Sequence, residues 1–235
     1  MNTSSNNGSA HERLIHDLVT DLRPVRRLQP PSVRALAWLA VVVATAVALA
    51  LIADLPALGH RLIAAPDMWL AVSGSAATAI LAAFAAFQLS LPDARRAWAL
   101  LPLPAALLWI VASGVGCLRA WFVPGTHAAD LSEARDCLIF IIALSVPLSA
   151  LLIILLRRAC PLYPRLTALI AGLASAAAAA TLLNFFHPFD AAATDLAVHI
   201  FAVAIVIVAN QAFSGRLLAT NFSRSGVTRA VAGSK

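Results

Sequence analysis

Residues 137–156 read CLIFIIALSVPLSALLIILL, twenty consecutive residues without a charged side chain. About 20 helical residues cross a bilayer core about 30 Å thick, because each residue adds 1.5 Å. The stretch therefore predicts a transmembrane helix. Pro147 lies in its middle and is expected to kink it, with Ser145 close enough to help satisfy a freed backbone group.

Five further stretches have the same apolar character. The composition agrees with them: 61% of the residues are hydrophobic, 12% are charged and the mean hydropathy is +0.85, which excludes an ordinary soluble domain. The predicted fold is all-α, a polytopic membrane protein whose six transmembrane helices fill residues 35–214. Its spans are Ala35–Leu55, Met68–Ser90, Ala97–Leu118, Cys137–Leu156, Leu166–Phe186 and Leu196–Ser214.

The basic residues alternate between the two sides of this layout. Of the 17 Lys and Arg residues, all but Arg61, Arg119 and Arg135 fall in the N-terminal segment, the second loop, the fourth loop or the tail. Lys and Arg are retained on the cytoplasmic side, so both termini are predicted to be cytoplasmic. The pI of about 10.5 is then explained by charges at helix ends beside the lipid bilayer, and direct nucleic-acid binding is not expected.

Polar residues inside the spans are few. Asp54, Asn184 and Asn210 are expected at helix ends or in interhelical hydrogen bonds, and the spacing of Gly74 and Gly172 with other small residues predicts close helix packing. A small multi-pass transporter is an alternative, weakened because transport usually requires ionisable groups at mid-membrane. A membrane thiol oxidoreductase is a further one, although no outward CxxC pair is present. No motif of a soluble enzyme or of a cofactor site is found.

The first 34 residues form a cytoplasmic arm. Residues 1–8 are rich in Ser and Asn and predicted to be disordered, and Ser9 with Glu12 forms a capping box before a helix over about residues 10–22. One face of this helix carries Leu14, Ile15, Leu18, Val19 and Leu22. A basic, Pro-rich strap follows at residues 23–34, and residues 215–235 form a basic cytoplasmic tail.

The opposite face of the arm helix is not basic. Glu12, Asp17 and Asp21 outnumber Arg13 there, whereas helices that lie on anionic membranes usually have a polar face rich in Lys and Arg. The composition of the arm therefore favours a protein groove as its partner over a lipid surface.

Three stretches of the chain resemble a known family. Residues 14–39, LIHDLVTDLRPVRRLQPPSVRALAWL, are similar to the start of the NrsF-like six-helix membrane anti-sigma factors, the negative regulators of sigma F. The similarity continues at Cys137 and at residues 155–166, LLRRACPLYPRL. It implies a bacterial inner-membrane protein that is not an enzyme and that holds an extracytoplasmic-function sigma factor until an envelope signal, such as metal or oxidative stress, arrives. The implied sigma-binding residues are Leu14, Leu18, Asp21, Leu22, Pro24, Val25 and Arg26.

The chain departs from the family at one position. The resemblance implies two outward-facing cysteines, and Cys137 matches the first, but residues 184–190, NFFHPFD, keep His187 and Pro188 without a cysteine. Cys117 could replace the missing partner if its Cα lay about 4.4–6.8 Å from that of Cys137. Cys137, Cys117, His187 and His199 are the candidate sensor residues. They form either a soft-metal site or an unrelated set of loop residues and a buried thiol.

Overall fold

The computed structural model describes residues 4–20, 28–64, 66–122, 131–157, 159, 161–186 and 200–213. All regular secondary structure within these residues is helical, with no strand, which confirms the all-α class. A 3-10 helix covers Arg96–Leu100. The α-helices are α1 Ser4–Thr20, α2 Pro31–Ala50, α3 Leu55–Ala64, α4 Pro66–Leu89, α5 Leu103–Phe122, α6 Leu131–Leu156, α7 Pro164–Leu183 and α8 Ile200–Phe213.

Five segments are long and apolar enough to cross a membrane, and they correspond to the first five predicted spans. They are Pro31–Ala50, Met68–Leu89, Arg96–Val115, Arg135–Leu156 and Pro164–Leu183. For the sixth predicted span, Leu196–Ser214, the described part is the shorter apolar helix α8, and the ends of that span lie outside the described residues.

The third span is not one continuous α-helix. The 3-10 helix ends at Leu100, a turn follows, and α5 begins at Leu103. Pro102 explains the break, because proline has no N–H to donate and its ring clashes with the preceding turn. The Pro102 carbonyl then accepts a hydrogen bond from the Ala106 N–H at 2.9 Å and opens the new helix. Pro102 therefore separates the 3-10 helix from α5.

An additional helix, α3, lies between the first two spans and was not predicted. Asp54 begins it: its Oδ1 accepts a hydrogen bond from the Ala57 N–H at 3.0 Å, as an N-cap does. The Asp54 carbonyl also accepts from the Leu58 N–H at 3.0 Å. Helix α2 thus stops at Ala50 although the apolar run continues to Ala53, and Asp54 belongs to the start of the next helix.

Helix α7 lies at the centre of the bundle. It packs mainly against α4 and α6, and α4 in turn packs against α5 and α2. Small residues make these contacts close, as the sequence predicted. A Cβ added at Gly74 of α4 would lie 2.8 Å from the Trp109 nitrogen of α5, and one added at Gly172 of α7 would lie 3.0 Å from the Ile207 Cα of α8.

In the described part of the chain, side chains of different helices are hydrogen-bonded to each other, as the following two pairs show. Thr181 Oγ1 of α7 lies 2.9 Å from Ser75 Oγ of α4, and Asn210 Nδ2 of α8 donates to Ser149 Oγ of α6 at 2.8 Å. The interhelical role expected of Asn210 is confirmed. Bonds of this kind inside membrane proteins contribute about 0.6 kcal/mol on average. Asn184 instead donates to the Ala180 carbonyl of its own helix at 3.0 Å.

The middle of α6 differs from expectation in one detail. The helix continues through Pro147 from Leu131 to Leu156. Ser145 is fully buried, but its Oγ has no hydrogen-bond partner among the described residues. The predicted compensation beside the proline is therefore not seen.

Candidate functional site

Helix α1 exposes an apolar stripe. Leu14, Ile15, Leu18 and Val19 are each between 54% and 61% exposed, and every residue from Glu12 to Thr20 is in the exposed class. The helix begins at Ser4, and in its last turn Thr20 Oγ1 donates to the His16 carbonyl at 2.8 Å. Most of the stability of a helix in a protein comes from packing of its apolar face, so this stripe is suited to burial against another surface.

The charged residues of α1 occupy the other face. Glu12, Arg13, His16 and Asp17 alternate with the apolar pairs, so the four apolar side chains form one continuous strip. Of the predicted binding residues, the structure places Leu14 and Leu18 on this strip. Asp21, Leu22, Pro24, Val25 and Arg26 lie outside the described residues.

The attached end of the arm enters the bundle at α2. Pro30 has φ −50° and ψ 145°, the extended conformation typical of proline, and Pro31 is the first residue of α2. One turn later Arg34 is 6% exposed. A charged side chain buried to this extent requires partners, and Arg34 has them.

Arg34 contacts two other helices. Its Nη2 donates a hydrogen bond to the Leu155 carbonyl in the last turn of α6, and its Cζ lies 5.0 Å from the ring centroid of Phe87 near the end of α4. The last four carbonyls of a helix lack intrahelical partners and carry partial negative charge, so a guanidinium is favoured there. A charged hydrogen bond contributes about 1.5–3 kcal/mol and a cation–π contact about 0.5–2 kcal/mol.

Trp38 makes a second contact from α2 to α6. It is fully buried, and its Nε1 donates to the Leu148 carbonyl at 3.0 Å. Since Arg34 and Trp38 are one turn apart, they lie on the same face of α2. From the sequence, Arg34 is expected only to contribute to the membrane topology. Its four-residue spacing from Trp38 in the first turns of an apolar span was the available signal.

A second arginine–aromatic pair lies close to the same loops. Arg96 Cζ, at the start of the 3-10 helix, is 4.2 Å from the ring centroid of Tyr163, just before α7. The beginning of α2, the ends of α4 and α6, and the beginnings of the third span and of α7 thus meet at one end of the bundle. We name this the arm end. The alternation of basic loops predicted that these segments share one end.

The candidate sensor residues are only partly described. Cys137 is 4% exposed and packs with Ile141 of α6, Ala179 and Leu183 of α7, and Ala202 of α8 at the end opposite the arm, which we name the far end. Cys117 lies within α5, but its side chain is not described, and His187 and His199 lie outside the described residues. Reactive cysteines are usually partly exposed in electropositive surroundings, so Cys137 in this conformation is a packing residue.

No group of three or more His, Cys, Asp or Glu side chains that could hold a metal occurs in the described part of the chain. The proposed soft-metal site depends on His187 and His199, which that part does not include. The described geometry thus consists of an exposed helix, a buried attachment at the arm end and an apolar cluster at the far end.

Comparison with known proteins gives one match. The family model NrsF, described as negative regulator of sigma F, matches residues 18–219. The match begins within α1 at Leu18 and extends through all the helices that follow. No curated protein and no solved structure matches the chain.

Proposed function

Because the chain belongs to the NrsF family, the negative regulators of sigma F, we propose that it is a membrane-bound anti-sigma factor. It sequesters an extracytoplasmic-function sigma factor through its N-terminal arm and releases it when an envelope signal arrives. It acts by binding and catalyses no reaction.

The exposed stripe of α1 is the observation that supports this proposal most directly. Leu14, Ile15, Leu18 and Val19 form a strip with the spacing of helix-in-groove recognition. Burying each such side chain contributes about 1.5–3 kcal/mol, and ordering a segment on binding costs about 2–5 kcal/mol. Four side chains therefore leave about 1–10 kcal/mol, and the upper part of this range reaches the roughly 8 kcal/mol of a micromolar complex.

The proposed site of action is the bacterial inner membrane, with six spans and both termini in the cytoplasm. The excess of basic residues in the arm, the alternate loops and the tail supports this orientation. The meeting of Arg34 with the ends of α4 and α6 supports the up-and-down order of the helices. The arm would then face the compartment in which sigma factors bind RNA polymerase.

Reporter fusions test the orientation. Green fluorescent protein fused to the N-terminus of the full chain or after Asp93 is expected to fluoresce, because both positions are predicted to be cytoplasmic and the fluorophore matures there. Alkaline phosphatase fused after His60 is expected to be active, because the loop before α4 is predicted to be periplasmic. Active phosphatase at Asp93 would contradict the orientation.

Co-purification tests the binding function. The full-length protein in lipid nanodiscs is expected to retain an extracytoplasmic-function sigma factor from the same genome, with each such factor offered separately. A variant lacking residues 1–27 keeps α2 to α8 and serves as the control, and it is expected to retain none. Equal retention by both proteins would assign binding to the membrane region and contradict the role of the arm.

Signal release is proposed to involve the far end of the bundle. Cys137, with Cys117, His187 and His199, remains the candidate sensor set, and its signal is proposed to be metal or oxidative stress. Cys137→Ser and His187→Ala are expected to reduce the rise in sigma-dependent transcription that follows such stress. The readout is a promoter fusion in cells, and an unchanged rise in both variants would exclude these residues.

A further inference from the structure

Arg34 joins the base of the arm to two helices of the bundle. Resting on the proposed function, we infer that Arg34 and Trp38 lock the base of the arm to α6, so that a change at the Cys137 end of α6 alters the presentation of α1. They are positioning residues, since neither lies on the apolar stripe that would bind the partner.

The lock lies at the point where the arm enters the bundle. Arg34 lies in the first turn of α2, and Leu28–Pro30 immediately before it join the arm to the bundle. The strap is stiff here, because Pro30 and Pro31 fix two consecutive φ angles near −65°. A rotation of the first turn of α2 is therefore passed on to the residues before it rather than absorbed.

Both hydrogen bonds of the lock are made to the backbone of α6. Arg34 donates to Leu155 and Trp38 donates to Leu148, both at backbone carbonyls. A side chain bonded to a backbone carbonyl follows the axial position and rotation of that helix, whatever side chains the helix carries. Two such bonds on one face of α2 hold it to α6 at two heights and resist sliding of either helix past the other.

Helix α6 connects the lock to the far end of the bundle. It runs from Leu131 to Leu156, so its 26 residues span about 39 Å. Near its start, Cys137 and Ile141 pack against α7 and α8; near its end, Leu155 holds Arg34. Energetic coupling between distant sites is carried by rigid elements of this kind when they have two arrangements.

Pro147 provides α6 with a place to change. A proline inside a helix removes one backbone hydrogen bond, and such positions are common sites of helix bending. Pro147 lies between the Cys137 cluster and the contacts at Leu148 and Leu155. Repacking at the far end can therefore redirect the part of α6 from Leu148 to Leu156, where Arg34 and Trp38 are attached.

The test measures the position of the arm base without a sigma factor. Spin labels are placed at Gln29→Cys and Leu162→Cys, two exposed positions at the arm end, in full-length protein in nanodiscs. Cys117 and Cys160 are changed to Ser and Cys137 to Val in the parent. The far end is then perturbed by replacing residue 137 with Phe, which overpacks the cluster with Ala179 and Ala202.

Relative to the parent, Cys137→Phe is expected to shift the label-to-label distance by about 2 Å or more, the scale of helix shifts in switching proteins. Ile139→Phe is the matched control on the same helix; Ile139 is half exposed, so this change should leave the distance unaltered. Arg34→Gln is expected to broaden the distance distribution and to remove the shift in distance that Cys137→Phe causes.

Trp38→Phe keeps the aromatic ring and removes only the N–H donor, so it provides a second test if Arg34→Gln fails to insert. It is expected to weaken the same response. If both variants show the parental distance distribution and the parental response, the lock does not exist. If that result were found while a sigma factor is still captured, the proposed function would stand and the lock would be rejected. If the lock behaved as expected but no sigma factor were captured, the lock would stand and the proposed function would be rejected.

Discussion

Leu18→Asp in the full-length protein is expected to weaken capture of the sigma factor by about 30-fold or more, the effect of a central interface residue worth about 2 kcal/mol. Leu18 lies in the middle of the exposed stripe of α1, between Leu14 and the remainder of the arm, and is itself 61% exposed. In the proposed complex its side chain is buried, and a carboxylate in that place would be desolvated without a partner. Because Leu18 packs on nothing in the bundle that would bury it, the membrane region should fold normally.

His16→Asp is the matched control for this experiment. His16 is exposed on the opposite face of the same helix, so the change introduces the same residue with a similar cost in helix propensity. Dissociation constants of the nanodisc-reconstituted proteins, measured by biolayer interferometry with the captured sigma factor, should separate the two variants. Equal losses for both would show that helix content, rather than the apolar stripe, determines binding.

Gly74→Ala is expected to destabilise the membrane bundle by about 1–3 kcal/mol, the usual cost of overpacking. The added Cβ would meet the Trp109 nitrogen at 2.8 Å and its Cα at 2.9 Å. Both are backbone atoms of a packed helix, so a side-chain rotation cannot relieve the contact and α4 must move away from α5. In a chain of this size the thermal midpoint should fall by roughly 2–4 °C for each kcal/mol.

Gly114→Ala is the control for this second prediction. Gly114 also lies within a spanning helix, but a Cβ added there meets nothing within 4 Å. Alanine is favoured over glycine in a helix by about 1 kcal/mol, so this variant should be as stable as the parent or more so. Thermal unfolding in detergent followed by size-exclusion chromatography measures both. A Gly74→Ala protein as stable as Gly114→Ala would contradict the close approach of α4 and α5.

The sequence predicted the apolar helices well because their signal is additive. Hydropathy summed over about 20 residues located five helices that the structure shows to be long and apolar enough to cross a membrane, and α4, predicted at Met68–Ser90, is observed at Pro66–Leu89. Boundaries set by a single hydrogen bond were not predictable in this way. The first span stops at Ala50 although Leu51 and Ile52 continue the apolar run, because Asp54 caps a new helix three residues before Ala57.

The candidate site divides along the same line. The stripe of Leu14 and Leu18 follows from a helical repeat that any reader of the sequence can count, and the structure describes both residues on α1 as exposed. Arg34 was missed because its role depends on Leu155, 121 residues away, and on Phe87 in a third helix. In a sequence, an arginine that sets the membrane topology looks the same as an arginine that is buried between helices. Only the tertiary arrangement distinguishes the two roles.

The second half of α7 contains a run of alanines. Residues 176–180 are five consecutive alanines, all buried between α4, α6 and α8. Alanine has no rotamers to fix, so enclosing this segment costs none of the side-chain entropy that a leucine core would lose. This part of α7 can therefore dock against its neighbours without any rotamer of its own having to be fixed.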